Sequence, residues 1–181
     1  MVSQGIACPA NDSLRNSRRN LPVMSNTNFQ LHPDLQRDGI RIGSFPLCLV
    51  LLINDKSYPW FVLVPQRAEI RDPIDLSDAD YRVLWQESHR FSGAIMSIFN
   101  GEKLNIAALG NMTPQLHVHH VVRFNGDAAW PAPIWGKQPL VAYSDDELDV
   151  IRDQIVAAKI EGLTPTTTSK PPTSRSAGDD T

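Results

Sequence analysis

The hydrophobic pattern divides the chain into a patterned middle and two unpatterned ends. Phe45-Pro46-Leu47-Cys48-Leu49-Val50-Leu51-Leu52-Ile53 is apolar at almost every position, which fits a strand covered on both faces. Asn54-Asp55-Lys56-Ser57 closes it with turn-forming residues. Tyr58-Pro59-Trp60-Phe61-Val62-Leu63-Val64 follows as a second strand, stopped by Pro65, and so short a gap predicts antiparallel pairing. From Ser77 the period changes. Tyr81, Leu84, Trp85, Ser88, Phe91, Ile95, Ile98 and Phe99 recur at helical spacing, with Ser77 placed as N-cap, acidic residues in the first turn and Asn100-Gly101 as the stop. Residues 103–109 predict a third strand, 110–114 a turn and 115–124 a fourth strand. Ser144 caps a last helix over 145–159, ending near Gly162, while the lead-in 29–42 reads as loop with a turn of helix and a short strand. These elements predict an α+β fold: an antiparallel sheet of about five strands, one long helix between strand pairs and a C-terminal helix.

The ends change the picture only by subtraction. Residues 1–23 are rich in Ser, Asn and Arg, and residues 162–181 in Thr, Pro, Ser and Gly. Neither has the apolar content to offset ordering entropy. The expected organisation is a disordered extension over 1–27, with Met24 as an alternative start to Met1, a single domain over 28–161 and a disordered tail over 162–181. A net charge of −3 argues against a nucleic-acid surface built on bulk charge, though not against a nucleotide site. Cys8 and Cys48 make neither a disulfide framework nor a cysteine metal site. The longest apolar run, 45–53, is too short to span a bilayer and no apolar stretch of signal-peptide length opens the chain, so a soluble cytoplasmic protein is expected.

The chemistry concentrates in Pro114-Gln115-Leu116-His117-Val118-His119-His120-Val121-Val122-Arg123, which holds three of the five histidines. Strand side chains alternate, so Gln115, His117 and His119 share one face and Leu116, Val118, His120 and Val122 the other. A polar row of this kind adds little to stability, because buried polar groups cost free energy unless paired. It therefore points to chemistry on that face. His120 reads as an imidazole packed under the sheet, and His89 as a solvent-facing helix residue. Trp130 and Trp135, in a proline-rich loop, suit loop packing as well as covering a base or a dimer surface.

The histidine segment resembles the histidine triad (HIT) family motif His-φ-His-φ-His-φ-φ, φ being apolar. His117 and His119 match the second and third histidines, Gln115 replaces the first and His120 one φ. Asn54 or Asp55 before Pro65, and Asn105 on the strand before the motif, fit further family positions over residues 28–140. The resemblance implies a nucleotide hydrolase or nucleotidyl transferase acting at a nucleoside α-phosphate through a nucleotidyl-histidine, with His117 as nucleophile. An unperturbed imidazole is unprotonated near pH 7 and suits that role. His119 is placed to contact a phosphate oxygen or pass a proton to the leaving group. Gln115 can donate to phosphate or fix the strand carrying His117, but cannot exchange a proton. Asn54 and Asp55 are expected to accept from ribose hydroxyls, Asn105 to donate to phosphate, and the turn with Gly110 and Asn111 to offer backbone N–H groups.

The implied partner is a purine nucleotide or nucleotide conjugate. No cofactor is expected, a divalent metal entering only with the substrate, and no nucleic acid or membrane partner; a homodimer fits the family. Two rivals stand beside this reading. One is a zinc enzyme using His-x-His, weakened by Gln115 and the lack of a nearby carboxylate. The other is a nucleotide-binding module with little or no turnover because the first histidine is lost.

Overall fold

A computed structural model describes residues 28–137 and 139–166. The expectations for 1–27 and 167–181, including Cys8 and the choice of start, lie outside the described residues.

Pro33–Asp38 forms a short helix, α1, started by a proline and capped by His32, whose Nδ1 accepts from the Asp34 N–H at 3.2 Å. Three antiparallel strands follow: β1 (Gly39–Ser44), β2 (Cys48–Ile53) and β3 (Trp60–Pro65). Helix α2 (Asp78–Ile98) starts at Ser77, which accepts from the Asp80 N–H. Strands β4 (Lys103–Ala107) and β5 (Val118–Arg123) complete the main sheet, and α3 (Asp145–Ala157) carries the Ser144–Glu147 capping box. The sheet order is β4-β5-β3-β2-β1-β6, all antiparallel, so the architecture is the expected α+β one with a sixth strand. That strand, β6 (Thr164–Pro165), pairs with β1. It corrects the reading of 162–166 as tail: two residues are too few to show a period, and a neighbouring backbone edge holds them.

The two faces of the sheet are covered differently. Leu84, Phe91 and Ile95 of α2 and Leu148, Ile151 and Ile155 of α3 pack with Val50, Leu52, Leu63, Val118 and Val122 on one face. Gly101 ends α2 hard against β5, where a Cβ would meet Val122 Cγ1 at 2.3 Å, so only glycine fits this approach. Among the described residues no long helix covers the other face. At one end Phe29, Leu31 and Leu35 lie over Leu49, Leu51, Ile53, Val62 and Val64; at the other, Tyr58, Val121, Ala129 and Ile134 cluster under the 125–136 loop. Trp60 packs against both clusters.

One charged residue sits on the core side of α2. Glu87 is buried, and its carboxylate accepts the N–H groups of Leu47 at 2.8 Å and Cys48 at 3.0 Å, where β2 begins. Burial raises its pKa while those bonds oppose the rise. Glu87→Ala leaves two buried donors unpaired, at about 1–3 kcal/mol each, and is expected to lower the urea unfolding free energy by about 2–5 kcal/mol. An unchanged urea midpoint would show that those N–H groups find other partners.

Candidate functional site

The histidine segment meets the sheet only in part. Pairing of β5 with β3 ends at Leu63↔Val118, and residues 115–117 carry no strand assignment, which corrects the expected strand over 115–124. Leu116 N–H instead donates to Ile70 O at 2.9 Å, toward the loop after β3. Alternation of faces survives: Leu116, Val118 and Val122 enter the helix-covered core, while His117 and His119 come together on the other face, ring centroids 4.8 Å apart. His119 stands directly opposite Val62 on β3 and Ala107 on β4.

Each ring uses its Nδ1 inside the protein. His117 Nδ1 is 2.7 Å from Gln115 O, a carbonyl that can only accept, so in the neutral ring this nitrogen carries the proton and Nε2 holds the lone pair. His119 Nδ1 accepts from Trp60 Nε1 at 3.0 Å. The two residues are 7% and 6% exposed, and neither Nε2 hydrogen-bonds to a described residue. Burial, with His117 beside it, pushes the His119 pKa down to about 3. His120 lies on the opposite face, 0% exposed, bonded to Ser88 Oγ at 2.7 Å and Val118 O at 3.0 Å, and burial pushes it down to about 4.

These two shifts contribute to the pH dependence of stability in mild acid. Both rings titrate below the free imidazole value, so in acid the unfolded chain binds protons that the folded chain refuses. Their contribution is complete above about pH 6.5 and is lost as pH falls toward 4 and 3. At about 1.4 kcal/mol per unit, urea titrations between about pH 7 and pH 4.5 are expected to lose several kcal/mol. A flat profile there would contradict the neutral, buried state of both rings.

Gln115 does not face the open row. Its Oε1 accepts from His32 N–H and its Nε2 donates to Gln30 O, both at 2.9 Å. The side-chain amide thus behaves as a peptide group added to the edge of segment 30–32, which goes with the holding role among the two expected for Gln115. His32, unexplained in the sequence, is the other half of that clamp and caps α1 as well.

The structure redirects other expected ligands too. Asn54 Oδ1 accepts from Tyr143 N–H at 2.9 Å, and Asp55 Oδ1 from Val141 and Ser57 N–H at 3.1 Å each. Through these oxygens they hold the segment before α3 to the end of β2. Asn105 lies opposite Val121 on the His119 face, but its Oδ1 accepts from Arg123 Nη1 at 2.8 Å, which makes it a support of that arginine. Asn111 is exposed on the turn after β4, where Gly110 takes φ +64°, and the turn is tied to α1 by Thr113 Oγ1 donating to Asp34 Oδ2.

Sequence reasoning missed two parts of the site. Trp60 read only as a strand residue, though the alternation Trp60, Val62, Val64 places it on the histidine face. Arg123 read only as the end of the motif. It is 1% exposed, pairs with Asp127 through Nε at 2.6 Å and Nη2 at 2.8 Å, and lies 5.8 Å from the Tyr58 ring centroid and 5.7 Å from that of Trp130. This cluster fixes the loop carrying Trp135, whose ring lies 5.5 Å from that of His119. Among the described residues no three His, Cys, Asp or Glu side chains converge as a metal site would need, and no helix is long and apolar enough to cross a membrane.

A six-stranded antiparallel sheet with α2 and α3 on one face and paired imidazoles on the other makes an α+β protein of the nucleotide-binding hydrolase and transferase superfamily. The chain belongs to the histidine triad family: the HIT domain model matches residues 34–126. It is similar to the crystal structure of a histidine triad protein from Marinobacter aquaeolei VT8, at 44% identity and a TM-score of 0.72 over 75% of this chain and 98% of that one. A histidine triad protein from Bradyrhizobium japonicum matches at 43% identity, TM-score 0.70, over 72% and 97%. A third, from Sinorhizobium meliloti 1021, matches at 38% identity, TM-score 0.72, over 74% and 98%. No curated protein matches the sequence.

Proposed function

We propose that the protein cleaves a nucleotide or nucleotide conjugate at the nucleoside α-phosphate through a nucleotidyl-His117 intermediate. The observation carrying this reading is the 2.7 Å contact of His117 Nδ1 with Gln115 O, which leaves Nε2 as the attacking lone pair. Nε2 bonds to phosphorus as the bond to the leaving group breaks and its electrons depart with that group. Water then attacks phosphorus, releases the nucleoside monophosphate and restores the imidazole.

Room for the nucleoside lies on the same face. His119, Val62, Leu51 and Arg41 form one row of direct cross-strand partners over β5, β3, β2 and β1. The far end of that row opens into a groove of about 620 Å³ between Phe29, Leu31 and the Leu49–Leu51 floor. An apolar floor with amides and a guanidinium at its rim suits a purine base, with ribose and phosphate extending toward the histidines. Gln115 holds the 30–32 segment that walls this groove.

Covalent trapping tests the reading. The protein is mixed with a dinucleoside polyphosphate or an adenosine phosphoramidate, quenched, digested under non-acidic conditions and searched by mass spectrometry. The expected result is a nucleotidyl adduct on His117. Steady turnover with the adduct on another residue, or turnover with none, refutes the mechanism. Tight nucleoside monophosphate binding without adduct or turnover identifies a binding module.

A further inference from the structure

Trp60 touches the site through one hydrogen bond with a fixed direction. Its Nε1–H donates to His119 Nδ1 at 3.0 Å, and the rings stand 5.6 Å apart at 46°. Trp135 lies on His119 at 5.5 Å and meets Trp60 edge-on at 6.4 Å. An indole N–H is a donor and nothing else. His119 Nδ1 must therefore be an unprotonated acceptor, and the ring's single hydrogen sits on Nε2. An imidazolium would direct a second N–H at the indole N–H, lose the bond and set two donors against each other. The titratable groups facing His119 are His117 on its own face and His120 across the strand, both imidazoles that disfavour added positive charge there. No carboxylate hydrogen-bonds to it among the described residues.

We propose that Trp60 is a positioning residue that locks His119 as a neutral Nε2–H donor, so that His119 binds a phosphoryl oxygen without supplying the leaving group's proton. This rests on the nucleotidyl-transfer reading above. It also names the substrate class. Gln115 has no proton to exchange, and its amide is committed to Gln30 and His32. When the bond from phosphorus to the leaving group breaks, the electron pair therefore departs on a group that receives no proton from His119 or Gln115. Leaving groups stable as anions meet that condition: phosphate and polyphosphate chains joined to the α-phosphate as anhydrides. Alkylamines of phosphoramidates need a proton to depart and do not. The structure thus favours phosphoric anhydrides of nucleosides over nucleoside phosphoramidates.

The test reads the tautomer directly. ¹⁵N-labelled full-length protein is examined by imidazole nitrogen–proton correlation NMR near neutral pH, as wild type and as Trp60→Phe, which keeps an aromatic body and removes the N–H. The expected wild-type His119 shows a protonated Nε2 and a bare Nδ1, with no titration down to about pH 5. In Trp60→Phe the tautomers mix and the titration midpoint rises. A wild-type His119 that is doubly protonated, or carries its proton on Nδ1, overturns the proposal whether or not the variant folds. So does an unchanged tautomer and titration in a folded Trp60→Phe. Kinetics on the wild type give the second arm. kcat/KM for a dinucleoside polyphosphate is expected to exceed that for an alkyl phosphoramidate of the same nucleoside by at least about tenfold, and the reverse order overturns the leaving-group inference. Absence of turnover with every nucleotide would defeat the mechanism of the preceding subsection while the NMR result still decides the lock.

Discussion

His117→Ala is expected to lower turnover by at least about 10³-fold while nucleoside monophosphate affinity stays within about tenfold, or 1.4 kcal/mol. The asymmetry follows from what the ring does. Its Nδ1 hydrogen bond goes to Gln115 O, two residues away, so no distant element depends on it. Removing the imidazole takes away the lone pair proposed to form the covalent bond and leaves the groove beyond Leu51 and the Gln115 clamp in place. Melting temperature and circular dichroism should stay close to wild type, so that lost activity reads as lost chemistry. Measured by single-turnover kinetics with equilibrium binding alongside, retained turnover would end the nucleophile assignment. An affinity loss far beyond tenfold would instead make His117 a binding group.

The second large effect is on stability. Asp127→Ala is expected to cost about 3–5 kcal/mol, because it strands a buried guanidinium. Asp127 accepts two bonds from Arg123 and two from the N–H groups of Phe124 and Ala129. Those bonds and the adjoining charge hold its carboxyl below the usual carboxylate range. Without it, Arg123 keeps Asn105 and two aromatic faces but no counter-charge. For a chain of this size the melting temperature should drop by roughly 10 °C or more. Replacing both partners, Arg123→Met with Asp127→Ala, should cost less than the sum of the singles, since neither charge is then left alone. Additive losses by calorimetry would mean the pair is not coupled. Because this cluster carries the loop of Trp135, the single variant should also disturb the His119 environment.

Much of the scaffold was legible because it is locally encoded. The apolar run of β2, the Tyr58–Val64 segment and the long period from Ser77 to Asn100 each announce themselves within a few residues. Alternation placed His117 and His119 together even though residue 117 lies outside the hydrogen-bonded strand. Hidden from the sequence was the identity of partners far along the chain. Gln115 meets residues 30 and 32, Trp60 meets His119, and Asn54 and Asp55 meet residues 141–143. In each case a polar side chain suited to a ligand meets a backbone or ring nitrogen instead, and no local pattern distinguishes the two. Glu87 is the exception: it falls on the buried stripe with Leu84, Ser88 and Phe91, and a carboxylate there signals a buried acceptor role.

The two imidazoles of the site differ in how their backbones are held. His119 belongs to the ladder and is held between two adjoining strands, β3 and β4, whereas His117 sits one residue past the last rung. The bonds that set the approach of the His117 ring are therefore loop bonds, Leu116 N–H to Ile70 O and the Gln115 amide to Gln30 and His32, and not rungs of the sheet. On the proposed mechanism the ring that attacks is thus aimed by the loop and segment 30–32, and the ring that binds the phosphoryl oxygen is aimed by the sheet.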